Sequence, residues 1–120
     1  MSNLFIFKIG ESIEAIPWSQ IKFFGEHFAD TDKLVILTLS GDKYTIPTSS
    51  TKENPKNERP SKDWMWCETI NGKFFVVRKS QVSYIGTTGT RTLIATRDKS
   101  RYRVSNTIED LIFQMEEEQE

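Results

Sequence analysis

An internal repeat is the feature of this 120-residue sequence that most limits its fold. Residues 16–25 align with residues 77–86, and a Ser-Gln pair stands in the middle of each segment. Further along, residues 44–46 (Tyr-Thr-Ile) align with residues 102–104 (Tyr-Arg-Val). The repeat predicts two related units, each built as strand, loop, strand, turn and strand. Chance similarity between strand pairs is the alternative, because strands draw on few residue types.

Three pairs of strand-like segments flank turn signals, which is typical of β-hairpins. The pairs are residues 33–39 with 44–46, 64–70 with 74–77, and 93–96 with 101–104. A first strand is expected over residues 4–9, and Pro17 interrupts strand-like pieces between residues 13 and 24 because proline cannot donate to a ladder. We therefore expect a mostly β (α+β) fold, either a compact β-sheet or a pseudo-barrel of two related units with a C-terminal helix.

The length of the chain fits one domain, since domains of about 100–150 residues are the commonest size. Within a single domain of residues 1–120, we expect the first unit over residues 4–46 and the second over residues 64–105. Between them, residues 47–63 form a polar linker, and a helical turn after Ser50 is one option within it. An acidic helix over residues 106–118 is expected to end the domain.

The pattern of this last segment predicts both the cap and the buried face of the helix. Asn106 is a candidate cap, and Glu109 three residues later completes a pattern like a capping box. An apolar stripe with helical spacing is expected to dock on the core of the protein itself. The stripe consists of Ile108, Leu111, Ile112 and Met115.

The formal net charge of −1 conceals a strong segregation of charge along the chain. Residues 78–103 carry seven basic side chains and one acidic side chain, a local charge of +6. Residues 104–120 carry six acidic side chains and no basic one. A whole-chain charge therefore says little about partners, whereas the basic segment indicates a surface that could meet phosphates.

The basic segment also has a suitable local pattern. Arg101 and Arg103 are two residues apart, so on a strand they share one face, and Arg97 and Lys99 fall at the adjoining hairpin tip. Arg91 follows a Gly- and Thr-rich stretch that could approach a phosphate closely. The alternative is an ordinary solvated sheet face, or a face paired with the acidic C-terminal residues 116–118.

Motifs for enzyme chemistry are missing from the sequence. His27 is the single histidine and has no Ser or Cys nucleophile motif near it, and no phosphate-binding loop is present. A metal site at His27, Asp30 and Asp32 is disfavoured, because zinc prefers thiolate and imidazole ligands. Cys67, the single cysteine, is expected to be a buried structural thiol. We therefore expect no catalysis, no cofactor and no metal.

The sequence also gives a default location. No apolar run approaches the roughly 18–20 residues that a membrane span needs. One cysteine cannot form an internal disulfide, so nothing indicates an oxidising compartment. A cytoplasmic protein without a membrane partner is expected.

Residues 74–80 resemble the pattern of LytTR-type DNA-binding domains, in which an aromatic residue is followed by a β-branched residue, a basic pair and Ser. Residues 97–105 resemble the closing hairpin of that family, and residues 13–21 with 33–46 resemble its opening half. The resemblance implies a β-rich fold whose loops enter DNA grooves to regulate transcription. It also implies that Arg78, Lys79 and Ser80 contact DNA, as Arg97 and Arg101 would. A PUA-like RNA-binding fold is a competing resemblance in size and strand content.

The predicted function is a non-enzymatic nucleic-acid-binding regulator of gene expression, acting on DNA or RNA through a basic hairpin face. The candidate contacts are Arg78, Lys79, Ser80, Arg91, Arg97, Lys99, Arg101 and Arg103. Tyr84, Tyr102 or an exposed Trp could stack on unpaired bases. The alternative is a protein-interaction or scaffold domain of a small homo-oligomer such as a homodimer, which would use an exposed strand edge or the segment 64–66.

Overall fold

The computed structural model describes residues 3–30, 32–56 and 60–117. Over these residues the chain forms ten strands in three antiparallel sheets and one C-terminal α-helix, which confirms the mostly β fold class. The strands are β1 (Leu4–Ile9), β2 (Ser12–Pro17), β3 (Ile21–Glu26), β4 (Lys33–Thr38), β5 (Lys43–Pro47), β6 (Trp64–Glu68), β7 (Phe74–Arg78), β8 (Val82–Thr88), β9 (Arg91–Thr96) and β10 (Arg101–Val104). The helix is α1 (Ile108–Glu116).

The three sheets are stacked as layers. The central sheet has the strand order β5-β4-β3-β7-β6, a two-stranded sheet contains β1 and β2, and a three-stranded sheet has the order β10-β9-β8. All three hairpins expected from the strand-like segments are present, as β4–β5, β6–β7 and β9–β10. Short turns explain these pairings, because each hairpin joins strands that follow one another directly in the chain.

The pairing of β3 with β7 joins the two units within the central sheet. Phe23, Phe24 and Gly25 lie opposite Val77, Val76 and Phe75, respectively. A Cβ atom placed at Gly25 would lie 2.5 Å from the Cβ atom of Phe75, so the close approach of these two strands requires a glycine.

Two hydrophobic cores lie on the two faces of the central sheet. The core beneath the two-stranded sheet is rich in aromatic residues, and its Trp18 ring packs edge-on against the rings of Phe5 and Trp64. The core beneath the three-stranded sheet and α1 includes the buried residues Met65, Cys67, Phe75, Val77, Ile94, Val104 and Leu111. The three-stranded sheet therefore packs one of its faces against the central sheet.

The two units also share a three-dimensional plan. In each unit a 3-10 turn leads into a strand with a bulge, between Ile21 and Phe23 in the first unit and between Val82 and Tyr84 in the second. The strand after the bulged one pairs with it, and a hairpin follows. The turns of these hairpins match too, because Gly41 and Lys99 both have a positive φ and both donate their N–H to a threonine carbonyl.

The linker between the units contains a 3-10 turn at Thr48–Ser50, which directly follows β5. The helical turn therefore lies before residue 51, and the option of a turn starting after Ser50 is corrected. Residues 57–59 fall outside the described residues. In the described ranges, no helix is long and apolar enough to cross a membrane.

The helix cap differs by one residue from the expected one. Thr107, and not Asn106, caps α1, since its side-chain oxygen accepts from the Asp110 N–H at 3.1 Å. Thr107 is better placed because its oxygen reaches the third residue of the helix, which is the geometry of an N-cap. Of the predicted apolar stripe, Leu111 is fully buried, whereas Ile112 is 44 % exposed.

Asn106 and Gln114 instead cover the outer edge of β6. The Gln114 amide accepts from the Trp66 N–H at 2.7 Å and donates to the Trp66 carbonyl at 2.9 Å, as a neighbouring strand would. Asn106 accepts from the Glu68 N–H at 2.8 Å. These side chains satisfy backbone groups that an uncovered edge would leave open to other strands.

The first prediction concerns this edge. Substitution Gln114→Ala leaves the N–H of Trp66 without its acceptor beneath α1, so the free energy of unfolding should fall by about 2 kcal/mol. Urea denaturation measures the effect, with Gln20→Ala as the control because Gln20 is exposed and should change stability by less than about 0.5 kcal/mol. Equal stability of the two variants would show that the Gln114 amide does not hold the edge.

Candidate nucleic-acid interface

The three-stranded sheet has one buried face and one face open to solvent. Side chains alternate along each strand, so Tyr102, Ile94 and Ile85, which lie opposite one another, point into the core. The residues between them point outward. We call this outward surface the open face, and its residues are Tyr84, Gly86, Thr88, Arg91, Leu93, Ala95, Arg101 and Arg103.

The open face is basic. Arg91, Arg101 and Arg103 are all exposed, and none of their side chains has an ion pair or hydrogen bond with another described residue. Two adjoining depressions of about 470 Å³ each lie on the face and share Thr88, Leu93 and Arg101. An arginine fork that has no partner in the protein is available to bind a phosphate in a bidentate way.

Leu93 and Ala95 form the floor of the face between the arginines and Tyr84. Neither residue was predicted from the sequence to be part of a site. Their signal was the short apolar run over residues 93–95, which indicates a strand but does not say which of its faces a neighbouring layer covers.

The hairpin tip beside the open face is held in place by backbone contacts. Arg97 donates its N–H to the Gln81 carbonyl at 2.8 Å and its side-chain Nε to the Ser80 carbonyl at 2.7 Å. Lys99 has a φ of 69°, a left-handed conformation that an L-residue adopts at some cost. Gly41 has the same place in the first unit and adopts the same conformation without this cost, because it has no Cβ atom.

Asp98 is the acidic residue of the tip. Its carboxylate accepts from the Thr96 hydroxyl and from the Ser100 N–H, and Lys22 lies 2.9 Å away. The hydrogen bond from Thr96, followed by that from Lys22, holds the pKa of Asp98 well below its usual range. Lys22 of β3 therefore offsets the negative charge of Asp98 at the tip.

Two predicted contacts are held by the protein itself, one buried and one half-buried. The Lys79 side chain is 2 % exposed, which corrects its assignment as a surface contact for DNA. Arg78 is half-buried; it donates to the carbonyls of Ile21 and Trp18, and its guanidinium lies 4.5 Å from the centre of the Trp64 ring. Burial lowers the pKa of Arg78, although a guanidinium stays charged at neutral pH.

The structure thus separates the eight predicted contacts into three groups. Lys79 is buried and Arg78 is half-buried, whereas Ser80, Arg97 and Lys99 are exposed at the tip or directly beside it. The remaining three are the arginines of the open face. The repeat itself held a signal for the burial of Lys79, because Trp18, a core residue, aligns with it.

Tyr84 is 53 % exposed on the open face and is the aromatic residue there. Tyr102 points inward and stacks on Phe23 with ring centres 5.4 Å apart, so it cannot meet a base as the sequence suggested. The tryptophans Trp18, Trp64 and Trp66 are buried or partly buried.

Residues 64–66, which the scaffold hypothesis takes as an exposed interaction segment, are therefore buried or partly buried. Trp64 is 2 % exposed, and the Trp66 indole donates to the Pro55 carbonyl at 2.8 Å. Of the acidic C-terminal residues, 118–120 fall outside the described residues, so the alternative in which residues 116–118 pair with the basic face stays a hypothesis.

The surroundings of His27 and Cys67 indicate a structural role for both residues. The His27 Nδ1 atom accepts from the N–H groups of Ala29 and Asp30 at 3.2 and 3.1 Å, which shapes the loop after β3. Cys67 is fully buried, and burial strongly raises the pKa of its thiol. Across residues 3–30, 32–56 and 60–117, no three His, Cys, Asp or Glu side chains are grouped closely enough to hold a metal ion.

The second prediction tests the structural role of Arg78. A lysine cannot donate to two carbonyls in the planar way of a guanidinium, so Arg78→Lys should lower the free energy of unfolding by about 2 kcal/mol. Urea denaturation of this variant is compared with that of Arg91→Lys, an exposed control expected to stay within about 0.5 kcal/mol of the original chain. Unchanged stability of Arg78→Lys would contradict the role.

The third prediction concerns pH. Because the folded state lowers the pKa of Asp98, its contacts stabilise the fold above the ordinary pKa of 3.8 and lose their effect as pH falls below it. The difference in unfolding free energy between the original chain and Asp98→Asn should be largest near neutral pH and shrink at acid pH. Urea denaturation over a pH series measures it, and a difference that does not vary with pH would contradict this assignment.

Comparison with known proteins shows which solved structure this fold resembles. No family model matches the chain, and no curated protein sequence matches it. A solved LytTr DNA-binding domain from Bacillus cereus, part of a protein described as a methyl-accepting/DNA response regulator, matches with a TM-score of 0.62. The match covers 96 % of this chain and 97 % of that chain at 14 % sequence identity. The chain therefore has the fold of a LytTR-type DNA-binding domain, which confirms the resemblance found in the sequence at the level of the fold.

Proposed function

We propose that this chain is a non-enzymatic DNA-binding regulatory module that holds the DNA backbone on its open face. The observation that carries the proposal is the set of three exposed arginines, Arg91, Arg101 and Arg103, without protein partners among the described residues. The open face has no acidic residue. Such a surface attracts phosphates strongly, and the attraction should weaken with salt.

The geometry of the strands supports binding to a chain of phosphates. Arg101 and Arg103 lie two residues apart on β10, so their Cα atoms are about 7 Å apart. Successive phosphates of one DNA strand are spaced by a similar distance, and a bidentate guanidinium holds each one in a defined place. The exposed Ser80, Arg97 and Lys99 of the tip would extend the contact beyond the face.

The likeness of fold supports DNA as the nucleic acid. The solved structure with this fold is a DNA-binding domain of a protein described as a response regulator. Phosphate contacts by themselves carry no sequence information, so the open face would supply affinity and register. Selection of a target sequence would need base contacts made elsewhere, and the tip is the nearest exposed element.

The fourth prediction tests the proposal with charge removal. A variant with Arg91→Gln, Arg101→Gln and Arg103→Gln should bind duplex DNA at least tenfold more weakly in low salt. The slope of log K against log salt should also become shallower by up to about three, because each lost phosphate contact contributes about 0.9. Fluorescence anisotropy with a labelled duplex across a salt series measures both quantities.

A matched control removes the same charge elsewhere. Lys8, Lys52 and Lys56 are exposed and lie away from the three-stranded sheet, so their replacement by Gln should leave the slope nearly unchanged. Equal weakening by the control would mean that net charge and not this face governs binding. Failure of the original chain to bind DNA at any salt concentration would overturn the proposed function itself.

A further inference from the structure

The Tyr84 ring occupies an unusual position on the open face. A Cβ atom placed at Gly86 would lie 2.5 Å from Tyr84 Cζ and 2.9 Å from Cε1, so the ring lies over this glycine. Gly86 does not have a positive φ, and its backbone is open to any residue. A side chain at position 86 would occupy the volume that the Tyr84 ring fills. Because Gly86 has no side chain, the ring can lie along the strand.

The first unit contains the same arrangement with a different outcome. Phe23 and Gly25 align with Tyr84 and Gly86, and a Cβ atom at Gly25 would lie 3.0 Å from the Phe23 ring. The Phe23 ring is stacked on Phe75 at 5.2 Å and on Tyr102 at 5.4 Å. Tyr84 has no aromatic partner among the described residues and is 53 % exposed. In the first unit, other rings of the protein stack on the aromatic residue before the glycine. In the second unit, no described ring stacks on Tyr84.

The surroundings of the Tyr84 ring fit a nucleotide. Ala95 lies opposite Tyr84 on β9, and Arg101 lies opposite Ala95 on β10, so the Cα atoms of Tyr84 and Arg101 are two strand spacings apart, or about 10 Å. A flat ring stacks with the π-face of any base, while a cation at this distance can reach the phosphate of the same or the next nucleotide. The apolar floor of Leu93 and Ala95 would lie beneath the sugar.

We propose that the Tyr84 ring is a stacking site for one unpaired base, which makes the open face bind single-stranded DNA more tightly than duplex DNA. The inference rests on the proposed function, since the arginines supply the phosphate contacts. In a duplex the π-faces are already stacked on neighbouring bases, so a duplex can use the arginines but not the ring.

The test uses oligothymidylate of about 12 nucleotides, a length within the usual site sizes, and its duplex with oligoadenylate. Tyr84→Ala should weaken binding of the single strand about tenfold and that of the duplex less than twofold. Gly86→Ala should act in the same direction, because its methyl group would displace the ring without any change of charge. Tyr84→Phe keeps the ring and should bind as the original chain does.

A second readout does not depend on affinity. Single strands that carry iododeoxyuridine should cross-link under ultraviolet light to the peptide containing Tyr84, and Gly86→Ala should reduce the yield. Single-strand binding that is unchanged in both Tyr84→Ala and Gly86→Ala, with duplex binding still dependent on the three arginines, would overturn this inference and leave the proposed function standing. Absence of binding to either probe by the original chain would overturn both.

Discussion

The pairing of β3 with β7 is the interaction on which the rest of the structure depends. It joins the two repeated units in one central sheet, and it brings Gly25 so close to Phe75 that a larger residue would separate the strands. Once this sheet is formed, its two faces need separate covers. The two-stranded sheet covers the aromatic core, and the three-stranded sheet with α1 covers the other. The open face exists because this last sheet has one side committed to the core.

Aligned strands of the two repeated units have different surroundings. Both units carry an aromatic residue two positions before a glycine, but Phe23 lies in the middle of the molecule and Tyr84 lies at its surface. The two units differ in charge at one position of β10, where Arg103 of the second unit aligns with Thr45 of the first, whereas Arg101 aligns with another cation, Lys43. At the 3-10 turn, Lys79 aligns with the uncharged Trp18, but both side chains are buried. The basic segment therefore serves both the interior and the surface.

Local patterns predicted most of the strands, because alternation and turn residues act over a few positions. The three hairpins, the break at Pro17 and the C-terminal helix follow from such signals. The pairing of β3 with β7 did not follow, since it joins residues fifty or more positions apart through only three residue pairs. The cap of α1 and the burial of Gln114 were also missed, because both depend on the edge of β6, which a sequence pattern does not reveal. For the site, the arginines of β10 were predicted, whereas the floor of Leu93 and Ala95 was visible only with the sheet in place.

We propose that nucleic acid binds on the open face of the three-stranded sheet. The most direct measurement is a nuclear magnetic resonance titration of the isotope-labelled chain with DNA, in which backbone amides and arginine Nε groups are followed. We expect the largest shifts at Tyr84, Leu93, Arg101 and Arg103, with little change in β1 and β2. Shifts that cluster on the two-stranded sheet, or that spare the arginines of β10, would contradict the account.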